Sequence, residues 1–266
     1  LMEGLDRAGL RFVLVKHENA GGFMAEGGWH ADGAPGVLLA TLGPGADNAI
    51  NVVANAWQDR VPLIFLTGCV DAAEAESYTH QVFDHQQLLR PIVKASFTAN
   101  LGALDVMMEK AIATALDGQP GPVHIDVPIK VAEARTDEVW HKGIRMPAAP
   151  KFTATGPELQ NACALFEKAE RPIAIAGVDA VNEGAGPDIS AFCQRFNIPL
   201  ITSYKGKGLM DEGHALALGG AGLSPKADSH LLPLINESDC ILLLGYDPIE
   251  MRINWRNPWP ADAPVV

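Results

Sequence analysis

The sequence predicts an α/β protein with two domains, each built on a doubly wound parallel sheet. Short runs of consecutive apolar residues alternate with helical segments along the chain, which is the pattern of strands covered by helices on both faces. The length of 266 residues suits about two domains. Prolines interrupt the alternation once, so we expect a first domain over residues 1–132, a linker over 133–156 and a second domain over 157–266.

Each element of the first domain follows from periodicity. Continuous apolar runs predict buried strands, and apolar residues at helical spacing predict helices. The predicted strands are residues 11–16, 37–41, 63–67 and 123–127, and the predicted helices are 19–30, 48–58 and 105–116. Strands alternating with helices predict right-handed crossovers and a parallel sheet.

The second domain repeats the alternation without repeating the sequence. The predicted strands are residues 172–176, 199–203 and 240–244, and the predicted helices are 158–168, 189–196 and 230–236. The first residues look like the tail of a helix running into a strand, and the last four look like a strand beginning. We therefore expect both ends to be cuts through a larger protein.

Composition and charge exclude several classes of protein. A net charge of −12 argues against binding to nucleic acid or to an anionic membrane surface. The longest apolar runs, residues 61–66 and 240–244, are far shorter than the ~20 residues of a membrane span. Four cysteines lie far apart without a C-x-x-C pair, which indicates buried thiols in a reducing compartment such as the cytoplasm.

Ligands of open parallel sheets bind outside the carboxyl ends of the strands. Glu18 follows the first predicted strand, where it is either a first-turn glutamate favoured by the helix dipole or a functional carboxylate. Residues 41–48 (TLGPGADN) form either a plain turn between strand and helix or a place where bare backbone approaches a ligand. Lys205 and Lys207 lie in a loop that is either solvated or able to meet a diphosphate.

Metal and nucleophile signatures are missing from the sequence. His80 and His85 are five residues apart, a poor spacing for one helical face, and the chain has neither H-E-x-x-H nor G-x-S-x-G. The histidines and cysteines form no zinc spacing. We therefore predict no metal site, and we expect isolated histidines to be solvated or hydrogen-bonded core groups.

Taken in order, seven segments resemble one known family. The chain carries counterparts of the patterns RHE…MADGYAR, GVxxxTxGPGxxN, NAxxDxxPxxxxTG, RPxTK, PGPVxIDIP and the start of a central domain. These patterns are typical of thiamine diphosphate enzymes of the acetolactate synthase (acetohydroxyacid synthase) and 2-oxoacid decarboxylase group. The matching segments lie at residues 15–27, 35–48, 55–68, 90–94, 120–128, 171–177 and 206–208.

The resemblance implies roles for particular residues. Glu18 would hydrogen-bond N1′ of the aminopyrimidine of the cofactor and favour its imino tautomer, while the thiazolium serves as electron sink for decarboxylation. The implied catalytic residues are Glu18 and Gln81. The implied cofactor-binding residues are Glu18, Thr41, Gly43, Pro44, Gly45 and Asn48, and the implied substrate-side residues are His80, Gln81 and Lys94.

The resemblance also implies an incomplete site. Residues 1–132 would be a pyrimidine-binding domain without its opening strand and helix, and residues 157–266 an incomplete Rossmann-like central domain. The C-terminal domain, whose GDG segment holds Mg²⁺ and the diphosphate, has no counterpart here. Because the family's cofactor lies between two subunits, we expect a homo-oligomer and an isolated chain that is inactive.

Two departures from the family pattern bear on cofactors. Tyr246 stands where the flavin-containing synthases have arginine, which makes FAD binding doubtful. Lys130 stands where the family has aspartate. The expected activity is decarboxylation of a 2-oxoacid such as pyruvate with transfer of the acyl carbanion to a carbonyl acceptor. The alternatives are a decarboxylase or diketone hydrolase with the same cofactor, a non-catalytic nucleotide- or flavin-binding module, and a degenerate paralogue.

Overall fold

The computed structural model describes residues 1–135 and 153–266 of the chain. These residues form two compact units, one within Leu1–Pro150 and one within Lys151–Val266, and each contains a four-stranded parallel sheet with helices. The predicted α/β class with two parallel-sheet domains is therefore confirmed. Most of the predicted linker, residues 133–156, lies outside the described residues.

The strands of the first unit have the order β1-β2-β4-β3. They are β1 Gly36–Ala40, β2 Leu63–Cys69, β3 Ala95–Thr98 and β4 Val123–Pro128. The helices are α1 Met2–Arg7, α2 Glu18–Asp32, α3 Pro44–Asn48, α4 Ile50–Gln58, α5 His85–Leu89, α6 Leu104–Leu116 and α7 Ile129–Glu133, and a 3₁₀ turn spans Arg90–Ile92.

The continuous apolar run of β2 is explained by burial on both faces. Leu63 and Phe65 pack in a cluster with α4, while Ile64 packs in a second cluster with α6. Alternate residues of a strand point to opposite faces, so both sets must be apolar when helices cover both sides. This packing leaves the carboxyl ends of the strands as the accessible edge.

The predicted strand at residues 11–16 is wrong. This segment forms no strand, and Phe12, Val13 and Leu14 are exposed by 44%, 62% and 83%. Preference for a strand expresses packing against a neighbouring strand, and none of the described strands pairs with this segment. Conversely, α5 and β3 were not predicted, because they are short and only partly apolar.

The second unit has the strand order β7-β6-β5-β8. The strands are β5 Pro172–Ala176, β6 Leu200–Thr202, β7 Ala217–Gly220 and β8 Cys240–Leu244. The helices are α8 Pro157–Glu167, α9 Val178–Asn182, α10 Gly186–Phe196 and α11 Pro225–Asn236, and 3₁₀ turns span Pro248–Glu250 and Ile253–Trp255. Helix α11 starts earlier than predicted because the Ser224 hydroxyl caps it by accepting from Ala227 N–H. The strand expected at the end of the chain appears as a parallel bridge between Val265 and Ile241.

The cysteines only partly follow the prediction of buried thiols. All four are free, and Cys193 and Cys240 are buried, whereas Cys69 is half-buried and Cys163 is exposed. The exposure of Cys163 arises because α8 has no buried residue. In the described part of the chain, no helix is both long and apolar enough to cross a membrane.

Candidate functional site

A carboxylate is held at the carboxyl end of β1. Helix α2 begins at Glu18 because His17 has extended backbone and its ring Nδ1 accepts a hydrogen bond from Asn19 N–H at 3.2 Å. The Asn19 side chain then accepts from Val52 N–H at 2.9 Å, which fixes the start of α2 against α4. Asn48, the last residue of α3, donates its amide to Glu18 Oε2 at 3.1 Å. These contacts orient a half-buried carboxylate beside the turn that follows β1.

The turn between β1 and α3 brings bare backbone against this carboxylate. A Cβ atom at Gly45 would lie 2.7 Å from Thr41 Cγ2 and 3.5 Å from Glu18 Oε1, so a side chain there would fill the space in front of that oxygen. Gly43 has φ 61° and ψ −115°, a backbone conformation that residues other than glycine rarely adopt. The second carboxylate oxygen of Glu18 therefore faces an open backbone surface.

Most of the predicted site residues meet at this edge. Asn48 contacts Glu18, Gly45 lies close to both Glu18 and Thr41, and Pro44 is the first residue of α3.

Two further predicted residues lie at the rim of the turn. Gln81, with φ 59°, lies against Gly43, since a Cβ at Gly43 would be 2.8 Å from Gln81 Cβ. His80 is the exposed neighbour of Gln81, with its ring edge-on to Tyr78.

Lys94 is not brought to this group. It precedes β3 at the amino end of the sheet, where its backbone N–H donates to Pro122 O at 2.8 Å. Its ammonium donates to the carbonyl oxygens of Asp117 and Gln119, and partial burial lowers its pKa even though Asp117 opposes this effect. The family resemblance implied a substrate-side role for Lys94, but within this unit Lys94 stabilises a turn at the opposite edge of the sheet.

A buried polar network behind the turn was not predicted. It consists of Thr67, His85, His124 and Asp126, which are exposed by no more than 7%. Gly43 N–H donates to His85 Nε2 at 3.0 Å, and His85 Nδ1 lies 2.8 Å from Asp126 Oδ1. Thr67 lies directly opposite Asp126 in the paired strands, donates to Asp126 Oδ1 at 2.8 Å and lies 2.8 Å from His124 Nε2.

Burial and hydrogen bonding set the charges of the network. Burial lowers the pKa of His124 to about 4 despite the nearby Asp126, so the ring is neutral at pH 7. Burial raises the pKa of Asp126, but the hydrogen bonds from His85 and Thr67 and the proximity of His124 outweigh it and leave that pKa below its usual value. The network therefore contains one carboxylate, Asp126, beside the neutral ring of His124.

One sequence signal could have revealed this network. His124 and Asp126 interrupt the otherwise apolar strand β4, and polar side chains in a strand buried on both faces need hydrogen-bond partners. Their partners lie 41 to 59 residues away, so spacing alone does not identify them.

His85, His124 and Asp126 are close enough in space to hold a metal ion. Their candidate ligand atoms, however, already face each other or the Thr67 hydroxyl, which lies within 3.5 Å of all three side chains. The Asp126 carboxylate accepts from Thr67 and pairs with His85, and the Thr67 hydroxyl also contacts His124. The arrangement favours a hydrogen-bonded core, and we assign no metal to it.

The remaining candidate residues have local partners. Lys130 pairs with Glu74 at 3.1 Å and lies 3.9 Å from Asp71, which ties α7 to the loop that leads to Gln81. Lys207 in the second unit pairs with Glu212 at 2.6 Å, which favours a solvated loop over a diphosphate site.

Comparisons with known proteins agree with these features. The sequence profile of the family described as "Thiamine pyrophosphate enzyme, N-terminal TPP binding domain" matches residues 1–88, and that of "Thiamine pyrophosphate enzyme, central domain" matches residues 159–266. The two matched segments lie in the first and second structural units, respectively.

Similar curated proteins are acetolactate synthase large subunits. The probable large subunit of Methanococcus aeolicus is 32% identical over 251 residues, covering 91% of this chain and 41% of the relative. The subunit of Corynebacterium glutamicum is 30% identical over 238 residues (89% and 38%), and isozyme 3 of Escherichia coli is 30% identical over 241 residues (89% and 42%). The chain thus spans about two fifths of the length of these relatives. With both domain profiles matched in order, the chain belongs to the thiamine pyrophosphate enzyme family.

Proposed function

We propose that the protein carrying this chain is an acetolactate-synthase-like enzyme that uses thiamine diphosphate. It decarboxylates a 2-oxoacid such as pyruvate and transfers the acyl carbanion to a carbonyl acceptor. The similarity to acetolactate synthase large subunits over most of the chain supports the reaction class. The structural observation that carries the proposal is the Glu18 carboxylate, which Asn48 holds beside the bare backbone of Gly45.

The residues present fit an aminopyrimidine. Such a ring needs a carboxyl group that hydrogen-bonds a ring nitrogen, accepting from its N–H when the ring is in the imino form, and a flat surface without side chains. Glu18 offers Oε1, for which the described residues provide no hydrogen-bond partner, and Gly45 offers the surface. Glu18 would hold the ring nitrogen, while the backbone of Gly43 and Gly45 would lie against the ring.

The chain's own side chains then have distinct tasks. Asn48 fixes one carboxylate oxygen of Glu18, so the other oxygen would keep its direction when it shares a proton with the ring nitrogen. A half-buried carboxylate forms a stronger hydrogen bond than one in water, because the surrounding dielectric constant is lower. When bound, thiamine diphosphate supplies the electron sink for decarboxylation.

Further parts of the proposal come from the family resemblance. We place His80 and Gln81 on the substrate side, at the exposed rim beside Gly43. We assign the binding of Mg²⁺ and the diphosphate to none of the residues named here. FAD is not proposed, because Tyr246 replaces the family's arginine and its hydroxyl donates to Trp255 O at 3.3 Å. We also propose a homo-oligomer with the cofactor at the subunit interface, located in the cytoplasm.

The decisive variant is Glu18→Gln, tested in the protein that carries this chain. It keeps the shape of the side chain and removes the proton acceptor, so cofactor-dependent consumption of pyruvate should fall about 10²–10⁴-fold, the usual scale for acid–base groups. Exchange of the C2 proton of bound thiamine diphosphate should slow with it. Glu158→Gln in the second unit is the matched control and should leave both rates unchanged. Equal C2 exchange in Glu18→Gln and the unmodified protein would refute the role of Glu18.

Product analysis separates the members of the reaction class. With pyruvate as sole substrate, acetolactate supports the proposed condensation. Release of acetaldehyde alone would indicate a decarboxylase, and cleavage of an offered 1,2-diketone without pyruvate turnover would indicate a hydrolase.

A further inference from the structure

We propose that His85 is a positioning residue that holds the Gly43–Gly45 turn in the positive-φ conformation that Gly43 adopts. Its ring links the backbone amide of Gly43 to the carboxylate of Asp126. The consequence for cofactor binding rests on the function proposed above. The positioning itself is a property of the protein without cofactor and can be measured separately.

The hydrogen bonds determine where the protons of His85 lie. The Gly43 N–H can only donate, so Nε2 of His85 must be the unprotonated acceptor of this 3.0 Å bond. The remaining ring proton is therefore on Nδ1, which donates to Asp126 Oδ1 at 2.8 Å. The ring, which is 4% exposed, is thus held from both sides in one tautomer and one orientation.

The turn needs such an acceptor because its own residues do not provide one. Gly43 is the N-cap of α3 and has no side chain to satisfy backbone donors there, and its φ of 61° and ψ of −115° are open to glycine but not to residues with a Cβ atom. A glycine is free to leave such a conformation unless a neighbour holds it, and a backbone N–H that is buried without an acceptor costs free energy. His85 supplies the acceptor that faces the Gly43 amide from inside the unit.

The same segment also sets the position of Gln81. Four residues before His85, the Gln81 backbone lies against Gly43, where a Cβ atom would overlap the Gln81 carbonyl oxygen. Asp84 caps α5 by accepting from Gln87 N–H at 2.8 Å, which fixes the direction in which His85 enters the core. His85 therefore connects the turn proposed to meet the cofactor with the residue proposed to meet the substrate.

Two substitutions separate the acceptor from the donor of the ring. The amide of His85→Asn reaches the position of Nδ1 and can still donate to Asp126, but it is too short to meet Gly43. The amide of His85→Gln reaches the position of Nε2 and can accept from Gly43 N–H, but it leaves the Nδ1 position empty. If His85 acts by holding Gly43, Asn should impair the turn and Gln should preserve it.

The test, made in the protein that carries this chain, is amide hydrogen exchange of peptides covering residues 41–48, followed by titration with thiamine diphosphate and Mg²⁺. We expect His85→Asn to speed exchange in this segment and weaken cofactor affinity about 3- to 10-fold, the scale of one net hydrogen bond. His85→Gln should stay within about twofold of the unmodified protein in both measurements, well inside the effect of one hydrogen bond. Equal effects of the two variants, or a larger effect of Gln, would overturn the proposal.

Two controls keep the result interpretable. Phe83→Leu removes the aromatic ring that stands edge-on to His85 at 5.1 Å without touching the Gly43 bond, so it should not speed exchange at residues 41–48. If His85→Asn does not fold, His85→Gln alone decides: retained protection supports the proposal and lost protection overturns it. Exchange as expected without any binding of thiamine diphosphate by the unmodified protein would reject the proposed function and leave the positioning role standing.

Discussion

The neutral, buried ring of His124 makes the stability of the protein depend on pH in a defined window. Burial lowers the pKa of this histidine from 6.5 to about 4 in the folded protein. Each pH unit between the folded and unfolded pKa values corresponds to about 1.4 kcal/mol, so the complete effect on the free energy of unfolding is about 3 kcal/mol.

The sign follows from proton uptake. Between pH 6.5 and about 4 the unfolded chain protonates His124 while the folded protein keeps it neutral, so unfolding takes up a proton and is favoured by acid. The stabilisation is complete above pH 6.5, declines as the pH falls, and is exhausted below about pH 4. Asp126, whose pKa is lowered, adds a loss in the same direction only at pH values below its usual 3.8.

The assay is urea unfolding at pH values from 4 to 7, comparing the unmodified protein with His124→Gln. Glutamine can still donate to Thr67 but does not titrate, so the fall in unfolding free energy between pH 6.5 and 4 should shrink by up to about 3 kcal/mol. His30→Gln, at an exposed position, is the control and should leave the profile unchanged. An identical pH profile in His124→Gln and the unmodified protein would show that this ring is not the buried neutral group.

Other substitutions test the turn, the network and the loop anchor. Gly43→Ala and Gly118→Ala both place a side chain at positive φ, but of these two only Gly43 is crowded, so Gly43→Ala should lower the free energy of unfolding by about 1–3 kcal/mol more and weaken binding of thiamine diphosphate. Equal losses in unfolding experiments would contradict the contact with Gln81. Thr67→Val keeps the shape of the side chain but leaves the buried His124 and Asp126 without this partner, so calorimetry should show a loss of about 1–3 kcal/mol in the free energy of unfolding. An unchanged free energy of unfolding would exclude these hydrogen bonds. Lys130→Ala removes an exposed, solvent-screened ion pair, so it should leave global stability nearly unchanged while speeding hydrogen exchange in residues 71–83. Unchanged exchange would show that this pair does not anchor the loop.

The sequence predicted the parts of the fold whose signals are local. Strand β2 and helix α6 were predicted within two residues because burial on two faces or on one stripe leaves a direct pattern of apolar residues. Glu18 and the glycine turn were identified because a strand end, a glycine pair and the next helix start are adjacent in the chain. Their meeting in space depends on the packing of the start of α2 against the turn after β1, because no strand precedes Glu18 in the described sheet.

The remaining features depend on contacts that spacing does not encode. The bond between His85 and Asp126 joins residues 41 positions apart, and neither segment alone shows that the other supplies its partner. The apolar composition of residues 11–16 suggested a strand, but a strand exists only where another one pairs with it. Lys94 was carried over from a family pattern, and the structure gives its ammonium two carbonyl acceptors at the other edge.

The pairing of Thr67 with Asp126 also bears on how the chain selects its strand alignment during folding. Strands that are apolar on both faces lose little hydrophobic burial when they slip by a residue, so apolar contacts alone discriminate poorly between neighbouring alignments. In the native alignment Thr67 lies opposite Asp126 and Phe65 opposite His124. A slip of β2 along β4 would leave a carboxylate and an imidazole in the core without their donors and acceptors, and buried charges without partners are strongly disfavoured. The polar residues of β4 would thus favour the native register of two strands whose apolar contacts alone would tolerate neighbouring registers.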